Sequence, residues 1–142
     1  MEKFILEKDI HLACIRANSF PAGIAEAQEK LQRLFDPQYG HSYYGVSYLY
    51  DDDILYLAGV EIENESAVMS PECERYTLQK GNYIMVFIPQ FRNHLHRIKD
   101  AFETLLSDPQ IDPKGCCAEM YLPAAKGFQT ATDIRCMVRL AD

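Results

Sequence analysis

Two stretches of this chain carry the same amphipathic helix at the same spacing. Apolar residues Ile24, Ala27, Leu31, Leu34 and Phe35 recur at the three- and four-residue intervals that place side chains on one helix face. Leu95, Ile98, Phe102, Leu105 and Leu106 repeat that pattern at a constant offset of 71. Pro21 lies near the start of the first helix and Asp36-Pro37 at its end, while Asn93 is the expected N-cap of the second and Ser107-Asp108-Pro109 its stop.

A strand-like run precedes each helix, IHLACIR and NYIMVFIP, and two more follow each: SYYGVSYLY and ILYLAGVEI, then CCAEMYLP and DIRCMVRL. Strand, helix, strand, strand therefore occurs twice. Predicted strands span 3–16, 43–50, 54–63, 73–80, 82–89, 116–122 and 133–140. Such a chain is expected to be one α+β domain over 1–142, with pseudo-repeats of about 1–70 and 71–142. Tandem duplicated β-α-β-β units would form a mainly antiparallel sheet with both helices on one face. The other face is expected to curve into a ligand groove where the halves meet.

With 142 residues, 48% of them apolar and 25% charged, the chain can bury a core without a disulfide staple. A net charge of −7 repels phosphate backbones and anionic headgroups. The longest basic cluster, Arg92 to Lys99, is diluted by Leu95 and Ile98 and reads as a solvated helix face. Direct nucleic-acid and membrane partners are therefore not expected. Charges at Glu2, Lys3, Glu7, Lys8 and Asp9 interrupt any apolar leader, and no run approaches the length of a membrane helix. Five cysteines without CxxC spacing suit a reduced, cytoplasmic compartment.

No metal or cofactor is expected. Asp51-Asp52-Asp53 lacks the glycine and distal glutamate of a calcium loop and reads as a hairpin turn. His94 and His96, two apart, point in different directions, and His11 and His41 have no clustered partners. Cys116 and Cys117 fall on opposite faces of one strand and read as packing residues.

The segment Cys116 to Pro123 is the most informative for chemistry. Alternation puts Ala118, Met120 and Leu122 on one face, expected to lie under the helices. Glu119 and Tyr121 would then face the groove. Setting Tyr121-Leu122 against Tyr48-Leu49 places Tyr44, Val46, Tyr48 and Tyr50 on that same groove face. Strand parity adds Tyr56, Tyr83 and Phe87 as further aromatic candidates. The chain has nine tyrosines and no tryptophan. Aromatic walls around one carboxylate suit a flat, apolar or cationic organic ligand.

At these residues the chain resembles the gyrase-inhibitor-like (GyrI-like) small-molecule-binding family, which includes effector-binding domains of bacterial transcription regulators and has a SOUL-like fold. The resemblance rests on Gly81-Asn82-Tyr83, opening a strand, and Glu119-Met120-Tyr121-Leu122-Pro123 after the second helix, and spans nearly the whole chain. It implies that Glu119 is the pocket carboxylate. The helix-turn-helix usual in such regulators has no room here, so a free-standing sensor or multidrug-type binding module is expected, reporting occupancy to a protein partner.

Other readings stay open. In a hydrolase of electrophilic small molecules, Glu119 would activate water and a pocket tyrosine would protonate the leaving group. Gyrase-inhibitory relatives imply a protein-interaction role. SOUL proteins imply tetrapyrrole binding, for which no well-placed histidine offers an axial ligand.

Overall fold

In the computed structural model, residues 1–35, 42–64, 70–123 and 128–142 are described. The Asp36-Pro37 stop and His41 lie outside them. Eight strands form one antiparallel sheet: β1 (Glu2–Leu6), β2 (Ile10–Arg16), β3 (Tyr43–Tyr50), β4 (Asp53–Ile62), β5 (Glu74–Leu78), β6 (Gly81–Ile88), β7 (Cys117–Leu122) and β8 (Asp133–Arg139). Helices α1 (Ile24–Leu34) and α2 (His96–Leu106) follow β2 and β6.

The strand order is β1-β6-β8-β7-β3-β4-β2-β5. It reads the same from either edge once β1 is equated with β5, β2 with β6, β3 with β7 and β4 with β8. The centre of this symmetry lies between β3 and β7. The leading strand of each half pairs with the other half, β1 with β6 and β5 with β2. The predicted single strand 3–16 is accordingly two strands, because its first part joins one edge of the sheet and its second part the other side.

Only Gln79 and Lys80 separate the end of β5 at one edge from the start of β6 beside the opposite edge. The sheet must curl to allow so short a link. Gly81 opens β6 at φ +141, a left-handed conformation that favours glycine. At the other hairpin, Asp51 and Asp52 both adopt left-handed backbone (φ 49 and 65), the conformation a two-residue turn between twisted strands demands.

Both helices lie on one face, as expected. Helix α1 rests on β4 and β2, and α2 on β8 and β6, which leaves central strands β3 and β7 between them. The buried rows are Ala27 and Leu31 in α1 and Ala101 and Leu105 in α2, flanked by Ile24 and Ile98. These equate at an offset of 74, not 71. Leu34, Leu95 and Leu106 are exposed, because the apolar periodicity extended past the turns that touch the sheet. Asn93 is not the N-cap of α2; it ends a short 3-10 turn, Phe91–Asn93, and Leu95 precedes the helix without a side-chain cap. That turn also brings the rings of His94 and His96 edge to face at 6.3 Å, where divergent side chains were expected.

The face away from the helices holds a second apolar core, which includes Leu12, Val46, Leu57, Leu78, Tyr83 and Met137. It was expected to stay open as a groove. Curling folds the outer strands of both halves toward each other there, and their apolar side chains pack together, while Phe87 at the border of that core stays 42% exposed.

Candidate functional site

Register decides which residues share a face. Opposite residues of β3 and β7 are Tyr44 with Met120, Gly45 with Glu119, Val46 with Ala118 and Ser47 with Cys117. Glu119 and Tyr121 therefore share the face of Gly45 and Ser47, which is the helix face, since Tyr121 and Tyr43 belong to the core that contains Leu31 and Leu105. Ala118 and Met120 lie on the opposite face, with Tyr44, Val46 and Tyr48. Both placements invert the parity expectation. Tyr48 and Tyr121 are 73 apart, an odd number, so equating them exchanged the two faces of one strand.

The sequence-predicted residues thus divide. Glu119, Tyr121 and Tyr56 come together on the helix face. Tyr44 and Tyr83 are core residues of the other face, and Tyr48 stacks there on Tyr76 with ring centroids 5.7 Å apart. Tyr50 is exposed at the β3–β4 hairpin, and Phe87 is 42% exposed on the far face of β6.

Glu119 lies half-buried on the central strand between the helices. Gly45, its cross-strand neighbour, leaves room for Tyr56, since a Cβ at position 45 would collide with the Tyr56 hydroxyl. A hydrogen-bonded chain ends at the carboxylate. Gln28 Nε2 donates to the Tyr44 carbonyl (3.2 Å) and to the Tyr56 hydroxyl (2.8 Å). Because a carbonyl only accepts, the amide orientation is determined, and Tyr56 can pass its own proton to the Tyr121 oxygen 3.3 Å away. The Tyr121 hydroxyl, two residues along the same strand face, stabilises the ionised Glu119 carboxylate.

Burial raises the Glu119 pKa to about 7, with the Tyr121 hydrogen bond pulling the other way. Burial also raises the pKa of Tyr56 and Tyr121, and the neighbouring Glu119 charge raises both further, so both remain protonated donors. The site therefore presents one carboxylate with a pKa near 7 and, behind it, the Tyr121 and Tyr56 hydroxyls and the Gln28 amide. Gln28 was missed in the sequence, where it sits among polar positions of an amphipathic helix. It is fully buried, and its Oε1 has no partner among the described residues.

Aromatic rings flank the chain. Phe20 lies 6.3 Å from Tyr56, Phe128 meets Tyr121 edge-on at 5.7 Å, and Phe91 stands 6.2 Å from Tyr121. The Arg92 guanidinium sits over Phe91 and Phe128. A cavity of about 360 Å3 opens beside Tyr56, with Phe20, Tyr50 and Ile54 in its walls. A larger polar depression of about 430 Å3 near Lys3, Asn82 and Asp142 has neither an aromatic wall nor a desolvated charge and is not part of the site.

Two thiols border the carboxylate: Cys136 is opposite Glu119 on β8, and Cys117 precedes it on the same face. Burial pushes Cys117 up to about 11 and raises Cys136 as well, so neither is an activated nucleophile at neutral pH. Among the described residues no cluster of three metal-ligating side chains occurs, and no helix is long and apolar enough to cross a membrane.

No protein-family model and no curated protein matches the chain. Solved structures do. An integron cassette protein from the mobile metagenome of Vibrio cholerae superimposes with a TM-score of 0.70 at 10% identity, covering 99% of this chain and 95% of that one. A protein named SAV2435, bound to tetraphenylphosphonium, gives 0.66 at 12% identity, covering 99% and 94%. A candidate transcription regulation protein from Staphylococcus aureus MU50 gives 0.62 at 12% identity, covering 98% and 99%. At these identities the likeness is one of fold, and the chain shares its whole architecture with a group that includes a cation-bound protein and a candidate regulator.

Proposed function

We propose that this chain is a GyrI-like small-molecule-binding module that takes an aromatic, cationic organic ligand beside Glu119, where we place a cleft between α1 and α2, and signals occupancy to a partner in transcription regulation. The observation that carries this reading is the Glu119 carboxylate, desolvated on the central strand and backed by the Tyr121, Tyr56 and Gln28 donor chain. A carboxylate in such surroundings is half protonated near pH 7, and a cation nearby favours its ionised form. Phe20 and Phe128, the flanking rings left partly accessible, add cation–π attraction and apolar contact. The phosphonium carried by one structural neighbour is a cation of this chemical class.

The test titrates wild type and Glu119→Gln with tetraphenylphosphonium and with neutral triphenylphosphine oxide. Loss of one charge-assisted contact corresponds to about 1.5–3 kcal/mol, or roughly ten- to hundred-fold weaker binding of the cation, with the neutral compound little affected. Cation binding should also release protons near pH 7, seen as a buffer-dependent heat. Equal losses for both compounds would sink the charge-based reading.

One observation favours a second reading, hydrolysis of electrophilic compounds: a carboxylate with a pKa near 7 is matched to general-base work. Turnover of an electrophilic ester by wild type, abolished in Glu119→Gln with substrate binding retained, would establish it.

A further inference from the structure

The geometry points to a second ligand site, on the sheet face away from the helices, where Arg135 receives an organic carboxylate with an aromatic body. Arg135 occupies the middle of β8, cross-strand from Phe87 on β6 and from Met120 on β7, and Met120 is in turn cross-strand from Tyr44 on β3. These four side chains make one transverse row across four strands. The guanidinium lies 4.7 Å from the centre of the Phe4 ring.

What sets Arg135 apart is a buried guanidinium nitrogen from which nothing among the described residues accepts. Its Nε is buried without a partner, and the hydrogen bond of Nη1 goes to the Met120 thioether at 3.4 Å, a weak acceptor. Among the described residues no carboxylate stands within ion-pair distance of it. Asp133, two residues earlier on the same face, has an oxygen accepting the Gln90 amide at 3.0 Å. Arg16 and Arg139 show the contrast: Arg16 grips Glu74 with two hydrogen bonds, and Arg139 meets Asp112, Asp142 and the Lys80 carbonyl.

A half-buried guanidinium held by a ring and a sulfur is costly unless something else completes its shell. A carboxylate is the planar acceptor that its donor fork fits. Phe87, 42% exposed beside it, and Phe4 above it supply apolar surface for a ring attached to that carboxylate. The row lies one residue away from Glu119 along β7 but on the opposite face, so this anion site and the cation cleft address ligands of opposite charge from opposite sides of the same strands.

The test uses 2-naphthoate and its neutral analogue 2-naphthamide, with binding measured by calorimetry and its location read from the methyl signal of Met120. Wild type should bind naphthoate with a shift at Met120, and naphthamide about ten-fold more weakly. Arg135→Met should lose naphthoate binding by at least about ten-fold, and Glu119→Gln should retain it. Arg135→Lys, which keeps the charge but not the fork, covers the case in which the methionine variant does not fold; several-fold weakening is expected there. Failure of wild type to bind, unchanged affinity in either Arg135 variant, or a loss that follows Glu119 instead would overturn the proposal. Because tetraphenylphosphonium binding is read separately, failure of this site leaves the cation cleft to stand or fall alone.

Discussion

The two faces of the sheet each hold a half-buried charge that makes no ion pair among the described residues, and they hold it by different means. On the helix face Glu119 stands before a hydrogen-bonded group of Tyr121, Tyr56 and Gln28. On the other face Arg135 rests on polarisable groups, the Phe4 ring and the Met120 sulfur. The Tyr121 hydroxyl offsets part of the rise that burial gives the carboxylate, whereas ring and thioether contacts leave a guanidinium charged and under-bonded. The tyrosines follow the same division. Those beside Glu119 hydrogen-bond one another; Tyr44, Tyr48 and Tyr83 on the other face serve as packing.

If both faces are true cores, large truncations should cost alike on each. Leu31→Ala beneath α1 and Leu57→Ala on the opposite face both remove fully buried side chains, and each is expected to destabilise the fold by about 2–5 kcal/mol in chemical denaturation. A loss below about 1 kcal/mol at Leu57 alone would mean that the second face is loosely packed, and the comparison would break there.

The carboxylate sharpens it next. With a folded pKa of about 7, above the ordinary carboxylate value, Glu119 takes up its proton at higher pH in the folded chain than in the unfolded one. Its contribution to stability is therefore full below about pH 4.5, declines as pH rises toward 7, and is gone above that, a loss on the order of 1–3 kcal/mol. Glu119→Gln should flatten this part of the stability profile and exceed wild type at pH 8. Superimposable profiles of the two proteins between pH 4 and 8 would show that Glu119 is solvated like a surface acid.

Glycines on the two faces differ in a graded way. Gly45→Ala drives a methyl into the Tyr56 hydroxyl and should cost about 1–3 kcal/mol together with cation binding. Gly59→Ala on the opposite face meets Leu12 Cδ1 at 3.1 Å and Cys14 Sγ at 3.3 Å, a milder contact that should spare the cleft. Thermal melts and phosphonium titrations of the pair distinguish them, and the reverse order would place the tight contact on the wrong face. The smallest effect is expected at Tyr50, 58% exposed at the hairpin. Tyr50→Ala should change stability by less than about 0.5 kcal/mol and leave cation affinity unaltered. Weakened affinity would move the ligand from the central cleft to the hairpin cavity beside Tyr56.

Much of this was legible in the chain itself. Helical periodicity located both helices, alternation located most strands, and Glu119 stood out through the Glu-x-Tyr-x-Pro segment beside a duplicated pattern. The partition of tyrosines was not legible, because a period of two says which residues share a face of a strand and nothing about which face of the sheet that becomes. Gln28 was hidden for a related reason: a polar residue at a helical position is read as exposed until a partner such as Tyr56 is brought to it.

From residue order alone, then, came the α+β class, the twice-used order of elements, and the pairing of Glu119 with Tyr121, since residues two apart on a strand share a face whatever the fold. Tertiary structure decided the rest. Which side the helices cover, how β1 and β5 exchange between halves, and which residues Gly45 and Gly59 admit all depend on register between strands far apart in sequence. A shift of one residue in that register exchanges the two faces, and only the packing of helices on one side and the curl of the sheet on the other select between the alternatives.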